Sequence, residues 1–395
     1  MTFKNSTGKL TTTKYGEPYL WGSGDVTTLP SNENKITVSD AADFSGMRVA
    51  VGSSRIVIGS PWDDDNGIRS GAAYIYNLDG TNEIKITASD GAAEDYFGNI
   101  IDVGNGRIVV GAPWDDDNGT ESGSAYIFDL DGTQLAKITA SDAAALDYFG
   151  GSVAVGNGRI VVGARGDDDN GTESGSAYIF DLDGTQLAKI TASDGAAGDY
   201  FGESVAVGNG RIVVGAYGDD GNGTGSAYIF SLNGLELAKI KASDGAGGDN
   251  FGGSVAVGNG RIVVGASGDD RKTSGYAGSA YIFDLNGNEL AKITPSEDTL
   301  NDQFGVSVVV GNGRIVVGAS QEDTGATNSG AVYIFDLDGN ELAKIKASDG
   351  QFVSKAFGTS VDVGNGKIVV GSNGASYIYD TPLVYTPHDL IYNEV

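Results

Sequence analysis

From Phe149 to Tyr200 short apolar runs alternate with polar turn text: FGGSVAVGNGRIVVGARGDDDNGTESGSAYIFDLDGTQLAKITASDGAAGDY. Four segments have strand chemistry. Strand A, Gly151 to Val155, alternates small and branched residues. Asn157-Gly158 then supplies the two positive-φ positions that a two-residue hairpin requires. Strand B, Arg159 to Ala164, is a continuous apolar run, the pattern of an interior strand covered on both faces. Beyond a loop rich in Asp, Asn and Gly, strand C (Ser176 to Leu182) turns at Asp183-Gly184 into strand D, Thr185 to Ala192. No segment has helical period, so the unit predicts one four-stranded antiparallel sheet.

The same pattern recurs along the chain. Its marker Phe-Gly stands at Phe97, Phe149, Phe201, Phe251, Phe304 and Phe357, with a degenerate first copy at Phe44. The two stretches Asn105 to Asp142 and Asn157 to Asp194 differ only where Pro113-Trp114 becomes Arg165-Gly166. The ends are complementary. Asn34 to Asp40 (NKITVSD) has strand-D text with no A, B or C before it, while the last copy supplies A, B and C and then breaks off. A single sheet cannot bury both of its faces, so radial stacking with ring closure is the arrangement that hides them all. The expectation is an all-β, seven-bladed β-propeller of four-stranded antiparallel blades. It spans residues 34–380, is closed by the N-terminal outer strand, and is flanked by a leader or anchor segment (1–33) and a tail (381–395).

Composition narrows the function. Lys and Arg total 25 against 53 Asp and Glu, a formal charge of −28, and no basic cluster exists to grip a phosphate backbone or an anionic membrane. Cysteine is absent, which excludes disulfides, thiol nucleophiles and thiolate metal sites. The first thirty residues hold no signal-peptide apolar run, and no stretch approaches the ~20 apolar residues of a membrane span. Export, if it occurs, takes another route or a particle.

The Phe-Gly openings, the Gly111-Ala112-Pro113 and Gly59-Ser60-Pro61 ends of strand B, and the AKITASDGAAGDYFG join resemble the FG-GAP repeats of bacterial β-propellers, distantly similar to the integrin α-subunit head. The resemblance implies the propeller fold, a binding role and an extracellular or virion-surface location. In the integrin-type version the A-to-B hairpin carries a D-x-D-x-D-G calcium loop. Here that hairpin reads Gly-Asn-Gly-Arg, so those sites do not carry over.

The two faces of such a ring differ. One carries the tight turns and a ring of cations opening strand B (Arg55, Arg107, Arg159, Arg211, Arg261, Arg314, Lys367), expected to pair with strand C-to-D turn acids such as Asp131 and Asp183 or to grip an axial anion. The other carries the long B-to-C loops. Their carboxylates, Asp63 and Asp65, Asp115 and Asp117, Asp167 and Asp169, either cap turns or hold calcium, which takes oxygen ligands of this kind. No cofactor is required on this reading. The lysines of strand D, such as Lys137 and Lys189, read as guards of the outer edge. Trp62, Trp114, Tyr217, Arg271, Lys272 and Tyr276 interrupt the repetition and are the candidate partner contacts, with packing between neighbouring loops as the alternative. His388 is the sole histidine, and no GxSxG or HExxH text occurs. The expected function is a non-catalytic binding or adhesion module, such as a phage appendage protein contacting a protein or glycan on a host surface, its leader docking on a larger assembly. The alternatives are a carbohydrate-binding lectin and, behind it, a hydrolase.

Overall fold

A computed structural model describes residues 3–4, 10–11, 33–40, 46–270, 275–297, 301–323, 328–349 and 355–381. Phe3–Lys4 pairs with Leu10–Thr11; most of the leader and the tail lies outside the described residues. The remaining strands form seven four-stranded antiparallel sheets, each ordered A-B-C-D from the axis outward. In blade three these strands are Ser152–Gly156, Arg159–Ala164, Ser176–Phe180 and Gln186–Ile190. The A-to-B turn is the predicted Asn-Gly hairpin, with φ of 50° at Asn157 and 75° at Gly158. The C-to-D turn is wider than two residues: Asp181 N donates to Thr185 O, Gly184 adopts φ 90°, and the register slips between Ile179 and Phe180. Strand B is covered on both faces, as its unbroken apolar run requires, and Ile160, Val161 and Val162 are fully buried.

Blade seven is closed as its missing strand demanded. Asn34–Ile36 pairs antiparallel with Ala375–Asp380, placing Asn34 opposite Ile378, Lys35 opposite Tyr377 and Ile36 opposite Ser376. Glu33 belongs to this closure as well. In every blade a Glu or Gln at the start of strand D binds the Ser that follows the preceding D strand: Gln186 binds Ser141, Glu236 binds Ser193, and Glu33 binds Ser348. The seam between blades seven and six is therefore built like the others.

The Phe-Gly text is the lock between blades. Phe201 is fully buried against Tyr228 and Phe230 of its own blade, at ring-centroid distances of 5.4 and 5.9 Å, and touches the apolar side of blade three. Its backbone bridges Gly175 at the start of strand C in blade three. The carbonyl oxygen of Gly202 presses on Gly163, where a Cβ would overlap both it and the Ser152 hydroxyl. Ser152 Oγ donates to the same carbonyl at 2.7 Å. Glycine at the end of strand B is thus required because the next blade's backbone occupies the space of a side chain.

Three cations of the ring, Arg55, Arg107 and Arg261, pair with turn acids, but across the seam, while among the described residues Arg159 and Arg211 reach only the backbone carbonyls of Leu232 and Leu285 there. Arg55 reaches Leu130 O and Asp131, and Arg107 reaches Leu182 O and Asp183, each on the following blade. Lys367 pairs within its own blade, with Asp380.

Candidate functional site

The antiparallel order puts the B-to-C loops and the D-to-A joins on one face, and three arrangements of charge and rings are built there. The first is a cluster repeated around the ring. Tyr178 stands opposite Lys189 in the ladder between strands C and D. Both side chains lean toward the loops. Lys189 Nζ lies 2.8 Å from Asp142, 2.7 Å from Asp167 and 2.6 Å from Asp169, and the Tyr178 hydroxyl donates to Asp142 and Asp167. Lys85 meets Asp40, Asp63 and Asp65, and Lys137 meets Asp90, Asp115 and Asp117, in the same way. Blades four, five and six keep reduced versions around Lys239, Lys292 and Lys344, and blade seven keeps Lys35 with Asp349. Burial alone would lower the Lys189 pKa, but the carboxylates raise it above its ordinary value.

These are the carboxylates weighed for calcium, and they converge on an ammonium. Asp40, Asp63 and Asp65, like Asp142, Asp167 and Asp169, are close enough together to share a cation, and in each group the lysine lies within hydrogen-bond distance of all three. The strand-D lysines therefore do not stand out as edge guards. The Lys189 side chain is only 18% exposed, because the strand register that pairs it with Tyr178 delivers its amine into the loop cluster.

The second arrangement is a set of buried acids one turn away. Asp147 is 4% exposed and caps its turn by accepting from Ala144 N at 2.7 Å. Burial pushes its carboxyl up to about 6, as it does that of Asp95. Away from that face, on the axis, the partly exposed Asp102 and Asp362 accept the inner-edge N–H groups of Val155 and Val51. Burial raises them to about 6 and about 7.

The third is a line of rings across blades one to four. Trp62 meets the edge of Tyr96 (6.2 Å), Tyr96 meets Trp114 (4.8 Å), and Trp114 meets Tyr148 (6.5 Å). Arg69 lies over Trp62 at 4.6 Å and Arg165 over Tyr148 at 5.4 Å. Arg165 also pairs with Glu203, and beyond it Tyr217 stacks flat on Tyr200, 5.1 Å away with planes 4° apart. The Tyr200 hydroxyl donates to Glu173, which raises it to about 12. The structure thus brings Trp62, Trp114 and Tyr217 into one arc, where they pack on neighbouring loops while Trp62 stays 36% exposed. Tyr276 is apart from it and 55% exposed, on the loop of blade five. Arg271 and Lys272 lie outside the described residues. The sequence reading missed Tyr96, Tyr148 and Tyr200, the residues that join the arc together.

Among the described residues no helix is long and apolar enough to cross a membrane. No curated protein matches the chain. Among solved structures it is similar to the computationally designed Ika8 protein, at 12% identity over 87% of this chain and 98% of that one, with a TM-score of 0.51, a likeness of fold alone. The FG-GAP repeat matches six times, at residues 30–76, 81–128, 133–180, 185–230, 235–283 and 288–335, consecutive units that each run from the outer strand of one blade into the three inner strands of the next. Those six matches cover most of the ring, and the seventh blade repeats their Phe-Gly seam at Phe357; the chain belongs to the FG-GAP repeat family.

Proposed function

We propose that this propeller is a non-catalytic binding module, displayed on the outside of a cell or virion, which meets a partner on another surface through its long-loop face. The observation that carries this reading is the aromatic arc, whose half-exposed rings are held on rigid blades where loops are free to vary. The carboxylates that converge on each strand-D lysine lend little to hydrolysis, since they are tied to its ammonium rather than poised as an acid and base pair. Family membership supports a binding role.

Labelled full-length protein applied to a panel of whole bacterial cells tests the proposal. The wild type should bind, and the double variant Trp62→Ala/Trp114→Ala should lose most of that binding while still melting cooperatively. Binding unchanged in the double variant would place the contact elsewhere. Product released from a glycosidase substrate panel would overturn the non-catalytic reading.

A further inference from the structure

Three tyrosines of the arc hold a backbone conformation that their side chains disfavour. Tyr96, Tyr148 and Tyr200 have φ of 52°, 54° and 55°, in the left-handed region where a bulky residue is strained. The equivalent positions of blades five, six and seven carry Asn250, Gln303 and Ala356 at φ of 56°, 54° and 49°. The turn before Phe-Gly therefore forms without an aromatic ring, and among residues with a Cβ Asn is the one that adopts it most readily. Tyrosine at three consecutive seams puts a ring on the surface at the expense of local strain. Each such ring is then fixed: Tyr96 by Trp62, Trp114 and Arg69, Tyr148 by Trp114 and Arg165, Tyr200 by Tyr217 and Glu173.

The chemistry of the arc points to one class of ligand. Partly exposed rings, each with one side against a neighbouring ring or guanidinium, alternate with fixed carboxylates (Glu94, Glu173, Glu203) and with guanidiniums already engaged by those acids. Rings accept the C–H faces of sugars, and preset acceptors and donors beside them take hydroxyls. Because Arg69 and Arg165 are committed to Glu94 and Glu203 on a chain of charge −28, an anionic ligand finds no unpaired cation in this arc. We propose that the arc from Trp62 to Tyr217 binds an uncharged oligosaccharide, lying across the loops of blades one to four. This rests on the binding-module reading and names its ligand.

The test uses the full chain with cellohexaose, maltohexaose, chitohexaose and mannohexaose as neutral probes and a heparin hexasaccharide as the anionic one. Tryptophan fluorescence and calorimetry follow binding, because Trp62 and Trp114 lie in the arc. The wild type should bind at least one neutral hexasaccharide and not heparin. Tyr96→Asn/Tyr148→Asn, which installs the residue of blade five, should weaken that binding at least tenfold while the melting temperature holds or rises. A wild type that binds none of the neutral probes, or a double variant that binds as tightly as the wild type, overturns the proposal. Cell binding separates the two failures. If no hexasaccharide binds but the Tyr→Asn variant still loses cell binding, the face stands and its ligand is a protein; if cell binding persists, the face itself is wrong.

Discussion

Replacing Lys189 by Met removes a charge while keeping the length of the chain that lies over Tyr178. Three carboxylates, of Asp142, Asp167 and Asp169, are then left facing one another without the ammonium they share. Removing one partner of a fully buried ion pair costs about 3–5 kcal/mol. Asp167 is buried but Asp142 and Asp169 are open to water, so screening reduces the expected loss to about 2–3 kcal/mol. A propeller of about 350 residues has an unfolding entropy of roughly 0.7 kcal/mol per kelvin, so its Tm should fall by about 3–4 °C. The dependence on pH has a definite sign. Burial pushes the Asp142 carboxyl up, but Lys189 and the Tyr178 hydroxyl together hold it below its ordinary range. Its contribution is therefore present above the unfolded-state pKa of about 4 and disappears as pH falls through the lower folded value, so variant and wild type should converge in acid. Differential scanning calorimetry at neutral and acid pH, with millimolar calcium or with chelator, reads all of this. The wild type should ignore the chelator, and in the variant calcium should recover part of the loss by taking the vacated position. A chelator-induced fall of tens of degrees in the wild type would show that a divalent ion shares these clusters. An unchanged Tm in the variant would show that the ammonium contributes nothing.

Two further outcomes test the ring and its buried acids. Deleting residues 1–31 should leave the melting temperature near that of the full chain, whereas deleting 1–40 should lower it sharply or cause aggregation: it exposes Tyr377 to Tyr379 and removes Ile36 and Val38, worth roughly 1.5–3 kcal/mol each. Equal melting of the two truncations would mean that another segment closes blade seven. Asp147→Asn should raise the melting temperature at about pH 8 and leave it unchanged at about pH 4, since a carboxyl raised by burial contributes most when protonated and loses that contribution as pH climbs from about 4 to about 6. The gain is at most roughly 3 kcal/mol, and a loss at alkaline pH would show that the charged form is what the turn needs.

Strand B, the Asn-Gly hairpins and the closing strand were legible because each rests on local pattern: an apolar run, a pair of left-handed positions, a copy of text in an unexpected place. The cluster around Lys189 was not, although both halves were visible. Lys189, Asp167 and Asp169 some twenty residues before it, and Asp142 another 25 residues earlier become one site only through the register that sets Tyr178 against Lys189 and through a join from the neighbouring blade. Counting the lysine as an edge residue was right about the strand and wrong about the direction of its side chain. The arginines raised a similar difficulty, since Arg55 finds Asp131 across a seam rather than within its own blade. The arc had a readable signal that went unused, namely Tyr at 96, 148 and 200 against Asn250, Gln303 and Ala356 in the same frame.

The contact of Gly163 with the Gly202 carbonyl has a consequence for how such a chain arises. The seam is made where two backbones touch, with a missing Cβ on each side, and the same pair recurs at Gly111 with Gly150 and at Gly215 with Gly252. Because that junction is written in the same atoms each time, recombination between copies can exchange or overwrite whole units without spoiling their fit. Drift then shows away from that junction, at Pro113-Trp114 against Arg165-Gly166 in the loops and at Asn99 to Asp102 against Gly151 to Ala154 in the inner strand. What the closed ring selects is the number of units, and what each unit displays is left free to diverge.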